Sequence, residues 1–240
     1  MSSRFLGISG LLIILGLLTG TILLGFELRQ RLRIEAALRS DVAGLSMHRD
    51  LTPPTEEPLL VILGDSRAAA LGTPDIPGWT VFNLGVPGQS SAEVLARAGR
   101  DLVLLNPDHL VLIAGVNDLK EGDSNLAIQR ASNGLSDILA IADRLGITTT
   151  FIAPWPAAEG SLRAALLPTD LNDRCERLLE EVIKRQPAGA NVLWVSELLD
   201  KSQSVRADLA RDALHLNDAG NAILLKLLVQ QVDLGRTRAH

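Results

Sequence analysis

Cysteine occurs once, at Cys175, so the chain can form no internal disulfide and holds no cysteine-rich metal site. That scarcity leaves the compartment open, since a periplasmic protein needs no disulfides. Positive charge is outweighed: 23 Lys and Arg stand against 28 Asp and Glu, for a formal net charge of −5. A nucleic-acid partner, which would want a basic face to meet phosphates, is not expected. Histidine is limited to positions 48, 109, 215 and 240, which narrows the search for a catalytic base. No internal repeat or low-complexity tract is present, so no repeat architecture competes with an ordinary globular domain.

Charge is missing altogether from Phe5 to Phe26, a run of 22 residues. As a helix it is long enough to cross roughly 30 Å of hydrocarbon. A cleaved signal peptide would have an apolar core of about 7–15 residues followed by a small-x-small site. Here the run continues through Leu23, Leu24, Gly25 and Phe26 to Glu27, with no alanine pair at cleavage spacing. Residues 1–26 are read as a single-pass membrane anchor. Arg29, Arg31, Arg33 and Arg39 follow the span and only Arg4 precedes it, which by charge alone would keep the following side in the cytoplasm. An anchor at the extreme N-terminus nevertheless commonly delivers its domain outward, and an extracytoplasmic (periplasmic or extracellular) domain is the expectation.

Residues 27–57 are read as a stalk and linker. Leu28, Leu32, Ala36 and Leu38 fall near one face of a short amphipathic helix over 27–50. It either continues out of the membrane or lies on anionic headgroups through its arginines. Three prolines between Leu51 and Pro58 then forbid helix.

Apolar residues make up 47% of the chain, enough for a full core in the third segment, 58–240. Short apolar runs alternate there with helical stretches. Strands are expected at Leu59–Leu63, Thr80–Leu84, His109–Ala114, Thr148–Ile152 and Asn191–Val195. Helices are expected at Ser91–Leu104, within Asn125–Leu145, from about Asp170 to Arg185, and over Ala219–Val232. This alternation predicts a parallel sheet covered on both faces, an α/β sandwich whose functional crevice lies beyond the carboxyl ends of its strands.

The segments just after the strands are therefore informative. Gly64-Asp65-Ser66-Arg67 comes after the first, Gly85-Val86-Pro87-Gly88 after the second and Gly115-Val116-Asn117-Asp118 after the third. Asp212-Ala213-Leu214-His215 precedes the last helix. Ser66, at a strand-to-helix turn, either caps the helix or presents its hydroxyl to a ligand. Asp212 lies three residues before His215. At that spacing a carboxylate can orient one imidazole nitrogen and leave the other to take the proton of a serine hydroxyl. Alternatively, Asn217 or Asp218 simply opens the last helix and His215 is an incidental loop residue. His48 lies in the stalk, His240 is terminal and His109 begins a strand, so His215 is the well-placed base. The Asn117 amide and the backbone N–H groups of Ser66 and Gly85 can donate to a developing oxyanion, each such donor being worth about 3 kcal/mol. An ordinary turn would equally account for Asn117 and Gly85. A metal site built from Asp212, His215 and Asp218 would lack a second histidine, and no metal is expected.

In combination, GDSRAAALG (64–72), NLGVPGQSS (83–91), GVNDL (115–119) and DALHLNDAG (212–220) resemble, in order and position, the four motif blocks of the SGNH (GDSL) hydrolases. The resemblance covers roughly residues 58–235. It implies a three-layer α/β/α sandwich with a five-stranded, parallel, flavodoxin-like sheet. It further implies Ser66 as nucleophile, His215 as general base and Asp212 as its partner. The Ser66 N–H, the Gly85 N–H and the Asn117 side chain would form the oxyanion hole. No cofactor is implied. The expected substrates are short-chain or acetyl esters of lipids or carbohydrates, and the expected partners are such ester substrates and the membrane. Arg67 and Leu216 depart from the commonest family pattern. Arg67 would either favour an anionic or sugar-borne ester or make a solvent-facing salt bridge. Trp155, with Leu162, Leu166 and Leu167 in the loop 154–168, would either wall an acyl pocket or pack as surface structure. Two rival activities share these residues: acyl transfer onto an envelope glycan, and membrane-tethered binding without catalysis.

Overall fold

The computed structural model describes residues 15–25, 27–29, 57–120, 122–160 and 164–238. The chain falls into two units divided between residues 42 and 43. In the first unit, residues 15–25 are helical, and Leu15, Leu17, Leu18, Ile22, Leu23 and Leu24 are all exposed. The Thr19 and Thr21 hydroxyls donate to the Leu15 and Leu17 carbonyls at 2.8 and 2.7 Å, which satisfies both inside an apolar helix. Among the described residues no helix is long and apolar enough to cross a membrane. The rest of the 5–26 run, residues 30–50 of the stalk and most of the proline linker lie outside the described residues.

In the second unit the strands are β1 (Leu59–Gly64), β2 (Thr80–Gly85), β3 (His109–Ile113), β4 (Thr148–Ile152) and β5 (Ala190–Leu193). They form one parallel sheet in the order β2-β1-β3-β4-β5. The helices are α1 (Ser66–Ala69), α2 (Ser91–Leu105), α3 (Val116–Leu119), α4 (Ser124–Arg144), α5 (Leu171–Arg185) and α6 (Asp218–Arg238). Every residue of β1 and β3 is buried, which is why Leu59–Leu63 and Leu110–Ile113 read as unbroken apolar runs instead of alternating ones.

Side-chain alternation divides the core into two. Leu59, Val61 and Leu63 of β1 join Leu110 and Leu112 of β3 on one face, covered by α2, α4 and α5. Leu60 and Ile62 join Val111 and Ile113 on the other, covered mainly by α6 through Leu224, Leu228 and Val232. Each fully buried Leu, Ile or Val contributes about 1.5–3 kcal/mol of transfer free energy.

Helix α2 starts where expected because Ser90 and Glu93 form a capping box, and it stops at Asn106, whose left-handed φ of 43° cannot continue a helix. The last strand is shorter than the expected 191–195. It is the sheet edge, all four of its residues are only half-buried, and Ser196–Leu198 turn at once into a 3-10 helix.

The strand order reverses direction between β1 and β3. Chain leaving β1 passes to β2 on one side, and chain leaving β3 passes to β4 on the other. The crevice between them is where open α/β sheets bind ligands.

Candidate active site

Register brings three strand ends together. Gly64 pairs with Gly85 on one side and with Ile113 on the other, so the segments after β1, β2 and β3 leave the sheet side by side. Adjacent strands lie about 4.8 Å apart, within reach of one small ligand. A Cβ at Gly64 would stand 1.8 Å from the Ile113 carbonyl oxygen, so only glycine lets β1 turn this close to β3. Asp65 then caps α1 by accepting from the Arg67 N–H at 2.8 Å, which leaves Ser66 as the first helical residue. The Asp65 carboxyl is fully buried, and burial raises its pKa from the usual carboxylate range to about 6 against the opposing charge of Arg67.

Ser66 Oγ lies 2.8 Å from His215 Nε2. The other imidazole nitrogen, Nδ1, lies 3.0 and 2.9 Å from the two carboxylate oxygens of Asp212. Asp212 is itself fixed, because its Oδ1 accepts from the backbone N–H groups of Leu214 and His215 at 2.9 and 3.1 Å. A carboxylate held on Nδ1 keeps the proton there and leaves Nε2 as an acceptor facing the serine hydroxyl. Burial lowers the His215 pKa below its ordinary value. The hydrogen bond and charge of Asp212 oppose this, while the charges of Arg67 and Arg211 add to it. His215 is thus no incidental loop residue, although Asn217 does open α6 by accepting from the Gly220 N–H at 3.0 Å.

His109 occupies the far end of the sheet, with Nε2 2.9 Å from Thr150 Oγ1 and its pKa pushed down to about 4 by burial. Two concavities, of about 190 and 430 Å³, also lie at that far edge, around Gly146 to Thr148. A strand of five residues spans roughly 17 Å, so neither can hold a group bonded to Ser66.

Of the three groups expected to donate to an oxyanion, the structure gives one another partner. The Gly85 N–H is taken by Asn83 Oδ1 at 2.8 Å, and a Cβ at Gly85 would lie 2.2 Å from the Ala69 nitrogen. Gly85 therefore allows α1 to sit on the end of β2 and does not offer its N–H to a substrate. Three residues on, exposed Gly88 adopts a φ of 88°, in the left-handed region that favours glycine. The N–H groups of Ser66 and Gly88 take no partner among the described residues. One N–H of the Asn117 amide donates to the Gln89 carbonyl at 2.8 Å, beside Gly88, and the same nitrogen carries a second proton.

Arg67 and Trp155 also depart from expectation. Both are buried, 2% exposed, and so neither forms a surface salt bridge or walls an open pocket. Arg67 Nε donates to the Leu214 carbonyl at 3.0 Å, and its guanidinium carbon stands 4.2 Å from the centroid of the Trp155 ring. A desolvated cation–π contact of this kind is worth about 2 kcal/mol. Leu166, expected beside Trp155, is 79% exposed, and Leu162 lies outside the described residues. Leu216, in the place where proline is common, is buried and bridges to Ala210.

Arg97 was not legible as part of the site. Fully buried, it donates from Nε to Gln89 Oε1 at 2.9 Å, and from Nη2 to the Gly64 and Leu84 carbonyls at 3.1 and 2.7 Å. Its Nη1 reaches Asp101 at 3.2 Å. One guanidinium thereby ties together the ends of β1 and β2 and the loop that anchors Asn117. A signal was present: Val94, Arg97, Ala98, Asp101, Leu102 and Leu105 follow the 3-4 spacing of one buried stripe, with the opposite charges four apart. Asp118 plays a similar part for α3, accepting from both the N–H and the hydroxyl of Ser91 at 2.8 Å. Among the described residues no group of His, Cys, Asp and Glu could hold a metal ion.

Comparison with known proteins bears on the family and the fold. The profile of the GDSL-like lipase/acylhydrolase family matches residues 56–223. Comparison of the sequence with curated proteins finds no match. Among solved structures, a GDSL-like lipase from Bacteroides thetaiotaomicron aligns with TM-score 0.67 and 20% identity, over 80% of this chain and 98% of its own. A lipase/acylhydrolase from Enterococcus faecalis aligns with TM-score 0.55 and 20% identity, over 73% and 95%. The acetyl xylan esterase AlAXEase aligns with TM-score 0.56 and 17% identity, over 72% and 99%. At these identities the structural likenesses speak to the fold.

Proposed function

Because the chain belongs to the GDSL-like lipase/acylhydrolase family, whose members are serine hydrolases acting on esters, we propose that it cleaves short-chain esters, above all acetyl esters of carbohydrates or lipids, through an acyl-enzyme. The observation that carries this reading is the unbroken line from Ser66 Oγ through the imidazole of His215 to Asp212, at 2.8 and 2.9 Å. Ser66 Oγ attacks the ester carbonyl as Nε2 takes its proton. The resulting oxyanion is met by the Ser66 N–H, the Gly88 N–H and the Asn117 amide. The imidazolium then protonates the departing alcohol, leaving an acyl-serine. Water, deprotonated by the same Nε2, attacks in turn and releases the acid with the enzyme restored. The fold shared with an acetyl xylan esterase favours acetyl groups on sugars as the first substrates to try.

The test is a panel of p-nitrophenyl esters and acetylated sugars with the purified chain, with and without a glycan acceptor. Turnover of acetyl esters at least tenfold faster than of long-chain esters is expected, unaffected by the acceptor. Acceleration by the acceptor would favour acyl transfer, and no turnover of any ester would sink the catalytic reading.

The uncharged run from Phe5 to Phe26 supports a membrane anchor, as do the exposed leucines and back-bonded threonines of its helical part, and the catalytic domain then lies outside the cytoplasm. The chain is expected to stay with membranes through alkaline carbonate and to become protease-sensitive once the outer face is opened. Release by carbonate would refute the anchor.

A further inference from the structure

The loop that carries the base is held to the rest of the site by few bonds, and two of them fall on consecutive carbonyls. The Ala158 N–H donates to Ala213 O at 2.9 Å, and Arg67 Nε donates to Leu214 O at 3.0 Å. Arg67 follows the serine directly and lies over the Trp155 ring. Trp155 is anchored from behind, since Cys175 Sγ of α5 contacts its carbonyl at 3.7 Å. Both terminal nitrogens of Arg67 are buried without a hydrogen-bond partner among the described residues, so Asp65 and Asp212 act on the guanidinium through their charge alone. A guanidinium remains protonated throughout the working pH range, even though burial lowers its pKa. A charge in a site of low dielectric acts over several ångströms.

We propose that Arg67 is a positioning residue that clamps the Asp212–His215 loop to the helix bearing Ser66 and sets a fixed positive charge behind the imidazole. This rests on the hydrolase reading and adds to it a second role for the residue after the serine. The clamp keeps Nε2 at hydrogen-bond distance from Oγ. The charge disfavours the imidazolium, so that His215 remains the neutral base at lower pH than it otherwise would.

The sign is set by the groups around the ring. His215 faces Asp212 and Arg211 on its own loop and Arg67 from α1. Arg67 in turn faces Asp65 on its own turn, Asp212 across the site and Cys175 of α5. Activity requires the neutral imidazole and falls as pH drops through its pKa. Removing Arg67 removes one of the influences that lower this pKa, so the acidic limb of the kcat/KM profile moves to higher pH. A loss of packing alone would reduce kcat and leave the limb where it was.

The experiment measures pH profiles of the full chain with a p-nitrophenyl acetate substrate, together with NMR titration of the imidazole, assigned with His215→Gln. In Arg67→Met, kcat is expected to fall about 10- to 100-fold, the range expected when a catalytic group is misplaced by about 1 Å. KM changes little and both the limb and the NMR midpoint rise. Arg67→Lys retains the charge but not the forked, stacking group, so it keeps the limb and loses kcat. If Arg67→Met does not fold, Arg67→Lys carries the test of the clamp. Wild-type midpoints in Arg67→Met overturn the electrostatic role, and wild-type kcat in both variants overturns the clamp. Failure of the wild-type chain to label with a fluorophosphonate would instead bring down the hydrolase reading beneath it.

Discussion

Replacing Ser66 with alanine is expected to lower kcat for ester hydrolysis by about 10⁴- to 10⁶-fold, while the thermal midpoint stays close to that of the wild type. In the proposed reaction this hydroxyl is the atom that forms the acyl bond. Among the described residues, no other serine, threonine or cysteine is hydrogen-bonded to an imidazole that also carries a carboxylate. His109 and Thr150 do share a hydrogen bond, but both are buried within β3 and β4, away from the carboxyl ends of the strands. His215→Ala should cost a similar amount, because a serine without its base is a poor nucleophile. The double variant should be no worse than either single one, since the two side chains act as a unit. Steady-state rates and fluorophosphonate labelling check all three. Residual activity within tenfold of wild type in Ser66→Ala would mean that the chemistry lies elsewhere.

Arg97→Met should produce the largest loss of stability. The variant retains volume but strips the donor from the Gly64 and Leu84 carbonyls and from Gln89, and leaves Asp101 to Arg100 alone. Removing one member of a buried ionic network costs about 3–5 kcal/mol, because the groups left behind keep their desolvation penalty. For a domain of this size that is a fall of roughly 6–20 °C in the thermal midpoint. Activity should fall further than folded fraction explains, since Gln89 also receives the Asn117 amide. A midpoint within about 2 °C of wild type, measured by circular dichroism, would contradict this role for Arg97.

Ser66 and Arg97 mark the difference between what the sequence shows and what it conceals. Ser66, Asp212 and His215 are legible because each stands beside an element boundary, where chain direction and spacing limit what a side chain can reach. The sheet is legible because β1 and β3 are buried on both faces, so that Leu59–Leu63 and Leu110–Ile113 are apolar without interruption. Charge inside the core follows no such pattern. Arg97 does fall on the apolar stripe of α2, but the burial of Arg67 and Arg97 depends on carbonyls supplied by residues up to 147 positions away. Glycine is ambiguous for a related reason. Gly85 and Gly88 are both turn glycines in sequence, but in the fold Ala69 packs against Gly85 and Asn83 takes its N–H, while the Gly88 N–H has no such partner among the described residues.

The serine and its histidine are separated by 149 positions. During synthesis the hydroxyl proposed to attack therefore emerges long before the imidazole proposed to activate it. A nascent or prematurely terminated product carries an inert alcohol, however well its first strands have formed. On the proposed roles of these residues, hydrolytic competence is a late event in translation, and turnover gauges the chains whose C-terminal segment has been made and docked.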